Sequence, residues 1–164
     1  MKALRIAASI LMLLFTTAAF AQSDAQKSFD QLKSLTGSWE GKNSMGQPVQ
    51  VSYRLTAAGS ALMSEIIGHG ETMISMINFD GSNRLLLTHY CAVGNQPRMQ
   101  AIASPDGKTV TFNFLDATNL DSPEAGHMDH VVIAVLDPNH HTEEWVFANH
   151  GKQIKEFFDL KRVN

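Results

Sequence analysis

Between Thr88 and Met99 the chain gathers its densest set of chemically capable side chains: His89, Tyr90, Cys91, Asn95, Gln96 and Arg98. Read as a strand, Leu85, Leu87, His89 and Cys91 share one face, while Leu86, Thr88 and Tyr90 share the other. A histidine beside a thiol can lower the thiol's pKa and make it a nucleophile or a metal ligand. The plainer reading, which we favour, packs Cys91 as a small apolar residue and holds His89 in the core by a hydrogen bond. Asn95, Gln96 and Arg98 then pin a turn that closes one end of the fold, with Arg98 facing a ligand as the alternative.

Two acidic positions stand out. Glu143, Trp145 and Phe147 fall on one strand face, and two aromatics beside a carboxylate are the usual makeup of a small-molecule site. A core tryptophan with Glu143 near the rim is the plainer outcome. Glu65 shares a face with Met63 and Ile67, and a carboxylate on an apolar face must be paired or carry a raised pKa. His127, Asp129 and His130 invite a metal reading, yet on a strand His127 and Asp129 share a face that His130 opposes. They cannot meet on one ion without a bulge. His140, His141 and His150 fall in turns and are expected to be solvated. Met45, Met63, Met73, Met76, Met99 and Met128 suit an adaptable apolar cavity or ordinary core filling. No Gly-x-Ser-x-Gly, Walker loop, dinucleotide fingerprint, Cys-x-x-Cys or His-Glu-x-x-His occurs, which argues against the common hydrolase, nucleotide and zinc-protease chemistries.

The elements that must position these residues are mostly strands. Ala25 to Leu35 carries the helical signal, with Phe29, Leu32 and Leu35 recurring every three residues until Gly37 stops the run. From Trp39 the period changes to two. Val49, Val51, Tyr53 and Leu55 alternate with polar residues. Further strands read from Ala61 to Gly68, Thr72 to Phe79, Arg84 to Ala92, Arg98 to Ser104 and Val110 to Asp116. After a break from Ala117 to Ala125 come His127 to Leu136, Thr142 to Asn149 and Ile154 to Lys161. Asp80-Gly81 and Pro105-Asp106-Gly107 are turns with a mechanism. About nine or ten short strands joined this way, with no crossover helix, predict an all-β antiparallel up-and-down barrel with a short N-terminal helix; a sandwich is the alternative.

Lys2 and Arg5, the apolar run from Ile6 to Phe15, and Ala19-Phe20-Ala21 predict an export signal cleaved near Ala21/Gln22. Residues 22–164 then form one domain, periplasmic or secreted. The apolar run is shorter than the roughly 20 residues of a spanning helix, so no membrane span is expected after cleavage. A single cysteine cannot make an internal disulfide, and a lone thiol in an oxidising compartment is expected to be shielded. The net charge of −3 and the lack of a basic cluster argue against nucleic acid as a partner.

Leu32-Lys33-Ser34-Leu35-Thr36-Gly37-Ser38-Trp39-Glu40-Gly41 is a short apolar helix running into Gly-x-Trp at the first strand. This opening resembles the lipocalin (calycin) superfamily, including uncharacterised bacterial lipocalin-like proteins and nitrobindin-type haem barrels. The resemblance implies that Trp39 plugs one barrel end and that a basic residue near the last strand, Lys161 or Arg162, packs across its ring. It also implies haem as an alternative cofactor, although the last strand, Ile154 to Lys161, holds no histidine; no cofactor is otherwise expected. The expectation is an exported binding protein for a small apolar or amphipathic molecule, with His89, Tyr90, Cys91, Arg98, Glu65, Glu143 and Trp145 as candidate ligand contacts. The alternative is an enzyme or a haem or metal site built on His89, Tyr90, Cys91 and Arg98. The resemblance alone cannot choose between them.

Overall fold

A computed structural model describes residues 22–104 and 107–163. The expected export signal lies outside the described residues, as do Pro105 and Asp106. The helix α1 spans Asp24–Lys33, with the Ser23 hydroxyl accepting from the Gln26 amide at its start. It buries Ala25, Ser28, Phe29 and Leu32 along one side. A helix this short is marginal alone. Burial of Phe29, Leu32 and Leu35 stabilises its docking by on the order of 2 kcal/mol each. The expected helix ran on to Leu35. It ends earlier because the Leu35 carbonyl accepts the Trp39 indole N–H and the Ser34 and Thr36 carbonyls accept Arg162.

Ten strands follow: β1 Gly37–Lys42, β2 Pro48–Thr56, β3 Ala61–Gly68, β4 Glu71–Asp80 and β5 Arg84–Tyr90, then β6 Gln96–Ala103, β7 Thr109–Thr118, β8 His127–Asp137, β9 His140–Asn149 and β10 Lys152–Val163. Each pairs antiparallel with the next, and β1 pairs with β10, so the sheet closes into an up-and-down barrel. Among the described residues no helix is long and apolar enough to cross a membrane.

Directly opposed residues share a sheet face, and the register therefore defines the inner wall. Val51 opposes Ile66, Leu62 opposes Ile77, Ile77 opposes Leu87, and Leu87 opposes Met99. Phe112 opposes Val131 farther round the barrel. All of these side chains are buried. The helix covers the barrel end marked by the β4–β5 and β6–β7 turns, where Phe29 meets Phe79 with ring centroids 4.9 Å apart. The other end, formed by the β1–β2, β3–β4, β5–β6, β7–β8 and β9–β10 turns, has no such cover among the described residues.

The covered end is fixed by Trp39 and Arg162, which are opposed in the β1–β10 ladder. The Arg162 guanidinium lies 4.1 Å from the centre of the Trp39 ring. Its Nη1, Nη2 and Nε donate to the carbonyls of Thr36, Ser34 and Pro138 at 2.8, 2.9 and 2.9 Å. Gly37 has a φ of +129°, and a Cβ there would stand 2.8 Å from Arg162 Nη1. Lysine carries one ammonium and cannot reach three carbonyls in a fixed plane. Arg162→Lys should therefore lower stability by about 1–2 kcal/mol, read as a lower urea midpoint; an unchanged midpoint would show that this clasp is energetically idle.

Candidate functional site

The barrel wall is broken at one place. The β7–β8 ladder runs from Thr109↔Ala134 to Asn113↔His130 and stops there. Beyond it, the end of β7 stays with β6 through Ala117↔Pro97 and Thr118↔Gln96. The start of β8 stays with β9 through His127↔Ala148 and Met128↔Phe147. Register shifts fall on both flanks, at Arg98/Met99 and at Met128/His130, and bulges of this kind bend a strand away from its neighbour. Over the parted strands lies an open surface depression of about 680 Å3, lined among others by Phe114, Ala117, Leu120, Pro123, His127 and Asp129.

The connection above this gap is braced on both sides. Asn119 donates to the Gly94 carbonyl at 2.7 Å and Asn95 donates to the Gly126 carbonyl at 2.7 Å, tying it to the β5–β6 turn. The His150 amide donates to the Glu124 carbonyl at 2.8 Å, tying it to the β9–β10 turn. Across the opening, the rings of Phe114 and His127 sit 4.4 Å apart. His127 Nδ1 is 2.7 Å from the Ala125 carbonyl. A carbonyl only accepts, so Nδ1 carries the proton in this contact.

Inside the barrel a belt of polar groups crosses an otherwise apolar lumen. Glu143 Oε1 accepts the Tyr53 hydroxyl at 2.6 Å and lies 3.1 Å from His141 Nε2, while Oε2 accepts the Trp145 indole N–H at 2.8 Å. Tyr53 opposes Ser64, and Ser64 opposes Ser75. The Ser75 hydroxyl is 2.9 Å from His89 Nδ1, and the His89 ring is 5.0 Å from that of Trp145. Glu143, His141 and His89 have no exposure to solvent. Burial, reinforced by the Glu143 carboxylate, pushes the Tyr53 hydroxyl well above the ordinary tyrosine range, which keeps it a donor. Burial lowers His89 to about 4, so its ring is neutral at physiological pH. His89 Nε2 and His141 Nδ1 have no hydrogen-bond partner among the described residues. Orphaned buried nitrogens of this kind require water or a bound molecule.

The lumen is solid toward the helix and looser toward the gap. Ile77, Leu87, Phe112 and Ile133 are fully buried. The inward positions Met73, Phe114, Met128 and Phe147, one level farther out, are only half-buried. At the same end, Asn43 and His69 both reach Glu156 Oε1, at 2.9 and 2.6 Å.

The four residues of the His89 cluster do not converge. His89 points inward, whereas Tyr90 points outward and is 46% exposed. Cys91 has left the strand for a turn closed by its own amide on the Asn95 carbonyl. Its half-buried thiol is pushed up by desolvation, which opposes nucleophilic character. Arg98 lies outside the barrel, clamped on Asp116 through Nε–Oδ1 at 2.6 Å and a second Nη2–Oδ2 contact. The expectation for Glu65 is corrected: the inner row of β3 is Leu62, Ser64 and Ile66, so Met63, Glu65 and Ile67 face outward. Glu143 and Trp145 do come together, deep in the lumen and away from the rim. His141, expected to be solvated, is buried because β9 begins at His140 and places His141, Glu143 and Trp145 in one inward row. Tyr53 was missed as a site residue, although its alternation with Val49 and Val51 marks it as inward. Among the described residues no group of three or more His, Cys, Asp or Glu could hold a metal ion.

These features define a closed ten-stranded antiparallel barrel with a polar belt and a breach in its wall. It is similar in structure to a protein of unknown function from the DUF3598 family of Nostoc punctiforme, with 15% identity and a TM-score of 0.58. That match covers 80% of this chain and 48% of the other, so the chain spans about half of that protein. It is also similar to Rv2717c from M. tuberculosis, with 13% identity, a TM-score of 0.59, and 84% and 98% of the two chains covered. At such identities the likeness shows the fold alone. No protein-family model matches the sequence, and no curated protein does.

The depressed pKa of His89 has a consequence for stability. As pH falls below about 6.5, the ordinary histidine value, the unfolded chain takes up a proton that the folded protein refuses until about pH 4. The contribution is intact above that window and is lost through it, to a total on the order of 3 kcal/mol. His89→Gln removes the titration, so its urea midpoint should fall less than that of the wild type between about pH 7 and about pH 5. Equal falls in both proteins would show that His89 is not held neutral.

Proposed function

We propose that the protein is an exported, lipocalin-like barrel that holds a small apolar or amphipathic molecule, admitted through the gap between β7 and β8. The observation that carries this reading is the wall that stops pairing at Asn113 and His130 with half-buried Phe114, Met128 and Phe147 behind it. A cavity with apolar walls and a few directed polar atoms is the common form of a small-molecule site. The lone acceptor or donor at His89 Nε2 gives such a molecule a polar anchor at the end of its path. Export is supported by the Lys2–Ala21 sequence pattern, and kinship with lipocalins by Gly37, Trp39 and Arg162. We assign no catalytic residue, since His89, Tyr90, Cys91 and Arg98 lie in separate environments.

A second reading has one observation in its favour. A neutral histidine with Nδ1 held by Ser75 and Nε2 unclaimed is arranged as histidines that ligate haem or metal are. Absorbance of the purified protein in the Soret region separates the two.

Native mass spectrometry of protein exported by its own signal should show a small molecule that is released on denaturation. Ala117→Trp, which fills the gap from the β7 side, should reduce that occupancy about tenfold with the melting temperature retained. Absence of any bound molecule, or full occupancy in the variant, would overturn the proposal.

A further inference from the structure

We infer that the molecule held by the barrel is uncharged and meets the polar belt at Ser64 and His89 through a hydroxyl or carboxamide, an inference that rests on the binding reading just given. Two buried atoms carry it. Ser64 Oγ and His89 Nε2 have no hydrogen-bond partner among the described residues, and the two residues are 3% and 0% exposed. Ser64 Oγ stands close enough to the Tyr53 hydroxyl to act on it, without a hydrogen bond of ordinary geometry. The ladder sets both residues on one inward arc, since Ser64 opposes Ser75 and Ser75 opposes His89. His141 Nδ1 is also unclaimed, but its ring is set edge-on against Trp39 at the covered end. Toward the open end the wall turns apolar and loose. Ile154 opposes Phe147 in the inward row and is nevertheless 63% exposed. Met73 lies next outward from Ser75 on β4, and its flexible thioether is what a ligand must displace to reach His89.

The charges of the lumen are already engaged. Among the described strand residues that face inward and are at least half-buried, the carboxylates are Glu143 and Glu156 and the cation is Arg162. Glu143 takes Tyr53, His141 and Trp145. Glu156, at the mouth, takes Asn43 and His69. The Arg162 guanidinium is spent on three carbonyls at the covered end. An anionic head group would therefore enter beside carboxylates and meet no free cation, because burial keeps His89 neutral down to about pH 4. An ammonium would find the Glu143 oxygens occupied by three donors. Either ion would lose its water without a counter-charge, which costs far more than burying a neutral group. A hydroxyl suits His89 whichever nitrogen bears the proton, for it donates to a bare Nε2 and accepts from a protonated one. A carboxamide does the same.

Calorimetric titration of the mature protein with 1-octanol, octanamide, octanoate and octylamine, four probes sharing one apolar body, tests the inference. Octanol and octanamide should bind about tenfold more tightly than either ion. Ser64→Ala should weaken octanol about fivefold with the melting temperature unchanged or raised, because it removes a hydroxyl that the protein itself leaves unpaired. His89→Phe should weaken it further. A purely structural serine would lose stability and leave affinity alone. Octanoate or octylamine binding as tightly as octanol, octanol affinity unmoved in Ser64→Ala, or an ionised co-purified molecule overturns the inference while leaving a binding barrel in place. Failure of all four probes, together with no co-purified molecule, counts against the binding reading itself.

Discussion

Closing a sheet on itself asks the first strand to find the last, and here that meeting is fixed by one arginine. Arg162 sits on β10 opposite Trp39 of β1, stacks on its ring, and donates to carbonyls from the end of α1 and from the β8–β9 turn. Three stretches distant in sequence, the α1–β1 junction, the β8–β9 turn and β10, are thereby held at one point. The Trp39 indole N–H is itself spent on the Leu35 carbonyl, so the tryptophan is oriented from both sides. Its ring then meets His141 edge-on at 4.3 Å, and His141 reaches Glu143. The polar belt is thus seated on the same clasp that closes the barrel.

Closure satisfies the backbone and hides sheet edges, which makes the breach between β7 and β8 informative. A closed barrel needs no such parting for its own sake. Two bulges and three hydrogen bonds from neighbouring turns keep the strands apart. These are directional interactions, and they fix an opening rather than leave a frayed end. The opening lies at the half of the barrel where inward side chains are looser, opposite the half packed by the helix. Rigidity at one end and access at the other follow from the placement of a single short helix.

Much of this was legible in the chain. One-sided burial stamps period two on a strand, so Val49, Val51 and Tyr53, or Leu85, Leu87 and His89, announced their faces. Gly37, Trp39 and Arg162 were legible because close approach and ring stacking demand those residue types. Elsewhere the pattern misled for a physical reason. On β3 the apolar-looking row Met63 and Ile67 lies outside with Glu65, because the interior at that level is polar and Ser64 serves it beside Tyr53. His141 was hidden by a turn tighter than its composition suggested: Asn139 donates to Asp137 Oδ1 at 2.8 Å, and the strand has resumed by His140. The gap had no local signature beyond the break from Ala117 to Ala125, since a bulge depends on what the neighbouring strand does.

The polar belt also bears on why the lumen is not simply filled with aliphatics. A fully buried carboxylate with three partners and two histidines with unclaimed nitrogens cost desolvation that an apolar core would avoid. Such a network is tolerable when nearly every member is satisfied, and Glu143 is. His89 and His141 are each satisfied on one side only. A half-satisfied imidazole in a solid core would be a standing penalty, whereas beside a region that admits water or a ligand atom it becomes a recognition group. His89 stands at that boundary, between the packed row of Leu85 and Leu87 and the looser level of Met73 and Phe114. Its neutrality then matters chemically: a neutral imidazole pairs by hydrogen bonding and brings no charge into the lumen.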